Sequence, residues 1–140
     1  GPGMALKFLV DTSVIKRLGR DPVRQVVELL AAQGQLARTR ITDLEVGYSA
    51  RNEREWDRLI PALDVFEPVE STAAHHRRAL QVQRLLAQRS ARGRKIPDLL
   101  VAAAAEERGL AVLHYDSDFD LIAEVTGQQC QWVVPAGTVD

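Results

Sequence analysis

Short apolar blocks alternate along this chain with longer amphipathic stretches. Leu6-Lys7-Phe8-Leu9-Val10 and Leu110-Ala111-Val112-Leu113-His114-Tyr115 are nearly continuous apolar runs, the pattern of strands buried on both faces of a parallel sheet. Leu36–Arg40, Asp64–Glu67 and Gln131–Val134 are weaker runs of the same kind, and Pro68 should close the second of these. Helical stretches lie between them. Val14–Leu18 predicts a short helix capped by Thr12 or Ser13. Asp21-Pro22 starts another, with Asp21 at N-cap and Pro22 at N1, and Gly34 ends it. Ile41-Thr42 opens a third. Glu53–Ile60 is a fourth, which Pro61 should end or kink. Ser71–Arg89 carries helical periodicity through Ala74, Leu80, Val82, Leu85 and Leu86. Pro97 and Asp98 lead into LLVAAAAEER, and Gly109 stops it as a C′ residue. Phe119, Leu121, Ile122 and Val125 mark a last helix, ended by Gly127. Strands alternating with helices predict an α/β fold with a central, mainly parallel sheet. With 140 residues, no repeat and no long linker, one domain is expected, over residues 4–135 with a polar tail at 136–140.

Composition changes this picture little. A net charge of -1 says nothing global about nucleic acid, but the bases are unevenly placed. From Ser71 to Lys95 there is no acid, and Arg77, Arg78, Arg84, Arg89, Arg92, Arg94 and Lys95 are all basic. Arg grips phosphate bidentately. Arg outnumbers Lys fifteen to three, and a GC-rich genome is the plainer reading of that bias. Cys130 is alone, which excludes a disulfide framework and a thiolate metal site. No apolar run approaches the ~20 residues of a membrane span, and no secretory signal appears. A cytoplasmic protein is expected. Gly1-Pro2-Gly3 before Met4 has the look of a tag remnant and is set aside.

The chemistry lies in the carboxylates. Asp11 and Asp116 each end an apolar strand, and in a parallel sheet those ends share one edge. Asp98 falls at a helix N-terminus and Glu45 in a first helical turn, both at strand-to-helix junctions. Two carboxylates ~4 Å apart repel by about 4 kcal/mol at an effective dielectric near 20. A hard divalent cation with oxygen ligands, Mg²⁺ or Mn²⁺, would offset that. Such an ion stabilises charge on phosphoryl oxygens and eases the deprotonation of water. Each acid also has a plainer role. Glu45 fits a capping box with Thr42. Asp98 can be an N-cap, Asp116 a turn residue, and one of Asp118 and Asp120 a cap while the other is solvated. Asp43 suits a helix dipole. Thr12 and Ser13 either orient Asp11 or cap. His114 reads as a packed imidazole and Cys130 as a packed thiol, and His75 and His76 have no evident partner.

The order and spacing of FLVDTSVI, TRITDLEVGYSA, KIPDLLVAAAAEERGLAVLHYDSDFDLIA and the closing strand resemble a PIN-domain protein, and more closely a VapC-type toxin of a toxin–antitoxin pair. The resemblance spans nearly all of residues 4–134. It implies a three-layer α/β/α sandwich and an acidic site of Asp11, Glu45, Asp98 and Asp116, with Asp118 as an accessory ligand. It also implies an Mg²⁺- or Mn²⁺-dependent endoribonuclease acting on tRNA or rRNA, a homodimer, and a VapB-type antitoxin that blocks the acidic pocket. Arg92, Arg94 and Lys95, with Thr12 and Ser13, are then the candidate substrate contacts.

Three other readings compete. A haloacid-dehalogenase-type phosphotransferase would place Asp116-x-Asp118 near the start of its domain, whereas here only Leu121–Asp140 follow. A receiver domain needs a late lysine, and the lysines are Lys7, Lys16 and Lys95. A catalytically silent PIN-like module that binds RNA or a partner keeps the same acids.

Overall fold

The computed structural model describes residues 5–90 and 95–140, so the tag-like start and Arg92 and Arg94 lie outside the described residues. The strands are β1 (Phe8–Val10), β2 (Leu36–Thr39), β3 (Glu67–Val69), β4 (Ala111–His114) and β5 (Cys130–Trp132). They form one sheet in the order β3-β2-β1-β4-β5, with every neighbouring pair parallel. The helices are α1 (Thr12–Ile15), α2 (Asp21–Ala32), α3 (Arg40–Ser49), α4 (Glu53–Ala62), α5 (Ala73–Gln88), α6 (Ile96–Arg108) and α7 (Asp118–Thr126).

The near-continuous apolar runs are buried on both sides because successive side chains alternate between faces. Leu9, Ala37, Val69 and Val112 enter a core completed by α5, α6 and α7 through Val82, Leu86, Leu99 and Phe119. Val10, Leu36 and Leu113 enter a second core with Val14, Val23, Val27 and Val46 from α1, α2 and α3. The expected three layers are present. From β1 the chain runs outward to β2 and β3 on one side, then returns to lay β4 and β5 on the other. The order therefore reverses between β1 and β4, where open α/β sheets form a crevice beyond the carboxyl ends of their strands. Val10 pairs with Leu113, and the Asp11 amide donates to the Leu113 carbonyl at 2.9 Å. The residues that follow β1 and β4 are thereby held side by side.

Several local expectations give way to longer-range bonds. Asp11, not Thr12 or Ser13, caps α1, accepting from the Ser13 amide at 3.0 Å. Asp21 is the first residue of α2 rather than its cap, and it pairs with Arg24 one turn on. The capping box between Thr42 and Glu45 does not form; Thr39 caps α3. α4 runs through Pro61 and stops one residue later, at Ala62. The third strand begins at Glu67 rather than Asp64, because Leu63–Val65 close into a 3₁₀ turn. The buried Arg38 guanidinium donates to the carbonyls of Leu63 and Phe66 and to Asp43, and so fixes that turn. Pro68 sits inside β3 and not beyond it, which an edge strand tolerates. The final strand starts at Cys130, one residue early.

Candidate functional site

Asp11, Glu45, Asp98 and Asp116 line one cavity of about 380 Å³ at the β1/β4 crevice. Asp11 leaves the end of β1 and is buried, its carboxylate tied to the Ser13 amide. Glu45 reaches in from the second turn of α3. Its Oε1 accepts from the Thr12 hydroxyl at 2.7 Å, and that hydroxyl lies 3.2 Å from Thr42 Oγ1. Thr12 thus orients Glu45 across 33 residues of sequence. Ser13 Oγ accepts from the Tyr115 amide at 2.9 Å, binding α1 to the end of β4.

Asp98 stands in the first turn of α6 but does not cap it; Lys95 is the N-cap residue and makes no side-chain cap. The Asp98 side chain turns into the cavity, only 4% exposed, and among the described residues its Oδ2 has no hydrogen-bond partner. Asp116 closes β4. Its Oδ1 accepts from the Asp118 amide at 2.9 Å, and its Oδ2 accepts from Lys95 Nζ at 2.9 Å. The Asp116 amide donates to His114 Nδ1 at 3.2 Å, so the packed imidazole also holds the acidic loop. One carboxylate oxygen from each of Asp98, Asp116 and Asp118 lies within 4.8 Å of the others. Asp120 points elsewhere and accepts from Trp132 Nε1 at 3.1 Å.

The electrostatics follow from this crowding. Burial, then the charge of Asp11, pushes the Asp98 carboxyl up to about 8. Burial raises Asp11 as well, against the Ser13 hydrogen bonds that lower it. Burial would also raise Asp116, but the Asp118 amide and the Lys95 ammonium outweigh it and leave Asp116 low. A buried carboxylate oxygen without a donor costs about 1–3 kcal/mol or more. A cavity lined by oxygen acids, with such an orphan aimed into it and no sulfur or imidazole facing in, fits a hard divalent cation. Asp98, Asp116 and Asp118 are the residues placed to hold one, with Asp11 and Glu45 lining the same cavity.

The basic residues divide. Lys95 reaches the cavity, whereas Arg78 pairs with Glu106 and Arg89 with Glu124 on neighbouring helices. His75, which had no evident partner, completes a capping box with Thr72 and meets Glu107 at 2.8 Å. Cys130 packs against the core, where burial pushes its thiol up to about 12. Lys16, Arg17 and Tyr115 also line the cavity, and the sequence reading missed all three. The one local signal for Arg17 was its position a helical turn after Ser13.

Sheet order, crevice and acid placement together define a class, and comparison with known proteins agrees. The family profile for the PIN domain matches residues 8–125, so the chain belongs to the PIN-domain family. Within it the chain groups with the VapC proteins. It is 74% identical over 137 residues to Ribonuclease VapC51 of Mycobacterium tuberculosis, covering 98% of this chain and 100% of that one. It is 42% identical over 138 residues to Ribonuclease VapC21 of the same organism, covering 96% and 99%. Its fold matches VapBC2 from Rickettsia felis bound to a promoter DNA fragment, with a TM-score of 0.76 at 18% identity over 91% of this chain and 99% of that one. DNA-bound VapBC from Salmonella typhimurium matches with a TM-score of 0.74 at 20% identity over 92% and 99%.

Proposed function

We propose that this protein is the toxin of a toxin–antitoxin pair, a metal-dependent endoribonuclease that hydrolyses RNA phosphodiester bonds. The observation that carries the reading is the buried Oδ2 of Asp98, without a donor among the described residues and aimed into a cavity shared with Asp11, Glu45 and Asp116. Mg²⁺, with Mn²⁺ as its substitute, would be held by Asp98, Asp116 and Asp118, with Asp11 and Glu45 lining the same cavity. When bound it supplies charge stabilisation at the phosphoryl oxygens and eases deprotonation of the attacking water. The chain's own residues keep the acids where that chemistry needs them. Thr12 fixes the Glu45 rotamer, Ser13 ties Asp11 to α1, and His114 with the Asp118 amide holds the Asp116 loop. Lys95 sets positive charge at the mouth, where a phosphate backbone enters.

The R. felis and S. typhimurium neighbours are VapBC complexes, which supports a VapB-type antitoxin as partner. An apolar groove of about 520 Å³ beside the acidic cavity, lined by Ile15, Leu18, Val27, Val46, Leu59 and Phe66, suits an amphipathic antitoxin segment. A homodimer is proposed on the exposed Leu44, Tyr48 and Trp56, with Tyr48 93% exposed. Among the described residues no helix is long and apolar enough to cross a membrane, and a cytoplasmic setting fits an RNA substrate of the tRNA or rRNA class.

The test is to induce the chain alone and map cellular RNA ends. New ends and growth arrest are expected, both lost in soluble Asp98→Asn and both suppressed by the cognate antitoxin. Soluble wild-type chain that leaves growth and RNA ends unchanged would sink the reading and favour a silent binding module.

A further inference from the structure

The last residues of the chain are not a loose polar tail. Tyr115, which lines the acidic cavity, makes three hydrogen bonds to them through one hydroxyl. It donates to the Val139 carbonyl at 2.7 Å and accepts from the amides of Gly137 at 2.9 Å and Val139 at 3.1 Å. Val139 packs against the second core, and Gly137 turns the chain at φ +85°. The object of this arrangement is Arg17. Its Nε donates to a main-chain oxygen of Asp140 at 2.8 Å, its Nη1 to the Ser13 carbonyl at 2.7 Å, and its guanidinium stacks 4.7 Å from the centre of the Tyr115 ring. A long, rotamer-rich side chain is thereby held in one pose at the rim of the cavity. No carboxylate side chain among the described residues pairs with it, unlike Arg78, Arg89 and Lys95.

Fixing a guanidinium at three points costs side-chain entropy that a solvated surface charge need not lose. An anion arriving there recovers that cost, because the fork is already oriented. We propose that Arg17 is a substrate-positioning residue that grips an RNA backbone phosphate next to the scissile one. The C-terminal segment and Tyr115 form the strap that sets its pose. The inference rests on the ribonuclease reading and adds to it a phosphate contact and the element that holds that contact.

Binding of a mixed-sequence single-stranded RNA oligonucleotide is measured in EDTA as a function of salt, using full-length chains. Arg17→Ala should flatten the slope of log K against log salt by about 0.7, one phosphate contact, and weaken binding about tenfold. Tyr115→Phe keeps the charge and the ring but loses the strap. It should leave the slope in place and weaken binding about threefold, with KM for cleavage rising and kcat little changed. In the Arg17→Ala background the same change should do nothing more. Arg17→Lys, which keeps charge without the fork, gives a second test that leaves Tyr115 and the tail intact: slope kept, affinity lowered. An unchanged slope in Arg17→Ala overturns the phosphate contact. An equal effect of Tyr115→Phe in both backgrounds overturns the strap. Wild-type chain that cleaves no RNA with Mg²⁺ or Mn²⁺ present overturns instead the ribonuclease reading beneath both.

Discussion

Replacing protons by a divalent ion at Asp98 should make metal affinity depend steeply on pH. The Asp98 carboxyl sits at about 8, raised by burial and by Asp11, so near pH 7 the metal-free protein holds most of a proton there. That proton must leave before the oxygen ligates. Apparent Mg²⁺ affinity should therefore rise about tenfold per pH unit from pH 6 to pH 8, then level off. The sign for the metal-free fold is opposite. A folded carboxyl raised above its unfolded value binds protons that the unfolded chain has lost, so stability falls as pH climbs from about 4 to about 8. Asp11, also raised, adds to that fall. His114, lowered by burial, and Asp116, held low by its hydrogen bonds, work the other way, and their support is lost as pH drops. Calorimetric titration with Mg²⁺ in buffers of different ionisation enthalpy should count close to one proton released near pH 7 and fewer at pH 9. Melting curves should show Mg²⁺ raising Tm more at pH 8 than at pH 6. A pH-independent affinity, or proton release that survives in Asp98→Asn, would refute the reasoning.

Three further outcomes follow from single contacts. Thr12→Val removes the hydroxyl that orients Glu45; Mg²⁺ affinity should fall, with a stability loss of about 1–2 kcal/mol in urea denaturation. Arg38→Met strips donors from the carbonyls of Leu63 and Phe66 and leaves Asp43 with a broken pair, so unfolding should become easier by about 3–5 kcal/mol, read from the urea midpoint. Asp120→Asn should leave Mg²⁺ binding unchanged by calorimetry, because that carboxylate faces Trp132 and not the cavity.

How much the sequence disclosed depended on the range of the interaction involved. Strands β1 and β4 were readable because burial on both faces demands an unbroken apolar run, and α6 because Pro97 and Gly109 punctuate it. The shared edge of Asp11, Asp98 and Asp116 was readable for a related reason: each stands where a strand or helix boundary falls, and parallel pairing brings such boundaries together, whereas Glu45 joins the cavity from the second turn of α3. Caps and hydroxyls were not readable. Thr12, Ser13 and Thr42 are good capping residues by local rules, yet their oxygens are spent on Glu45, the Tyr115 amide and one another. The third strand slipped because Arg38, 25 and 28 residues away, anchors the turn that precedes it. Arg17 and the chain's last residues escaped notice for the same reason, since Tyr115 joins them only in space.

The same distinction explains how the site tolerates its own charge. Asp98 cannot satisfy its inner oxygen from α6, because the amides of that first turn point along the helix axis while the side chain turns toward β1 and β4. Among the described residues Lys95 lowers Asp98, but it is bonded to Asp116 and its side chain is 61% exposed, so burial and the charge of Asp11 outweigh it. A fold selected for stability alone would place an apolar residue at position 98, among the alanines and leucines of α6 that fill the first core. The chain instead places a carboxyl there, raised by burial and by the charges of Asp11, Asp116 and Asp118. Stability is surrendered there, and the proposed divalent ion would restore it, so metal loading and folding free energy would be linked through Asp98.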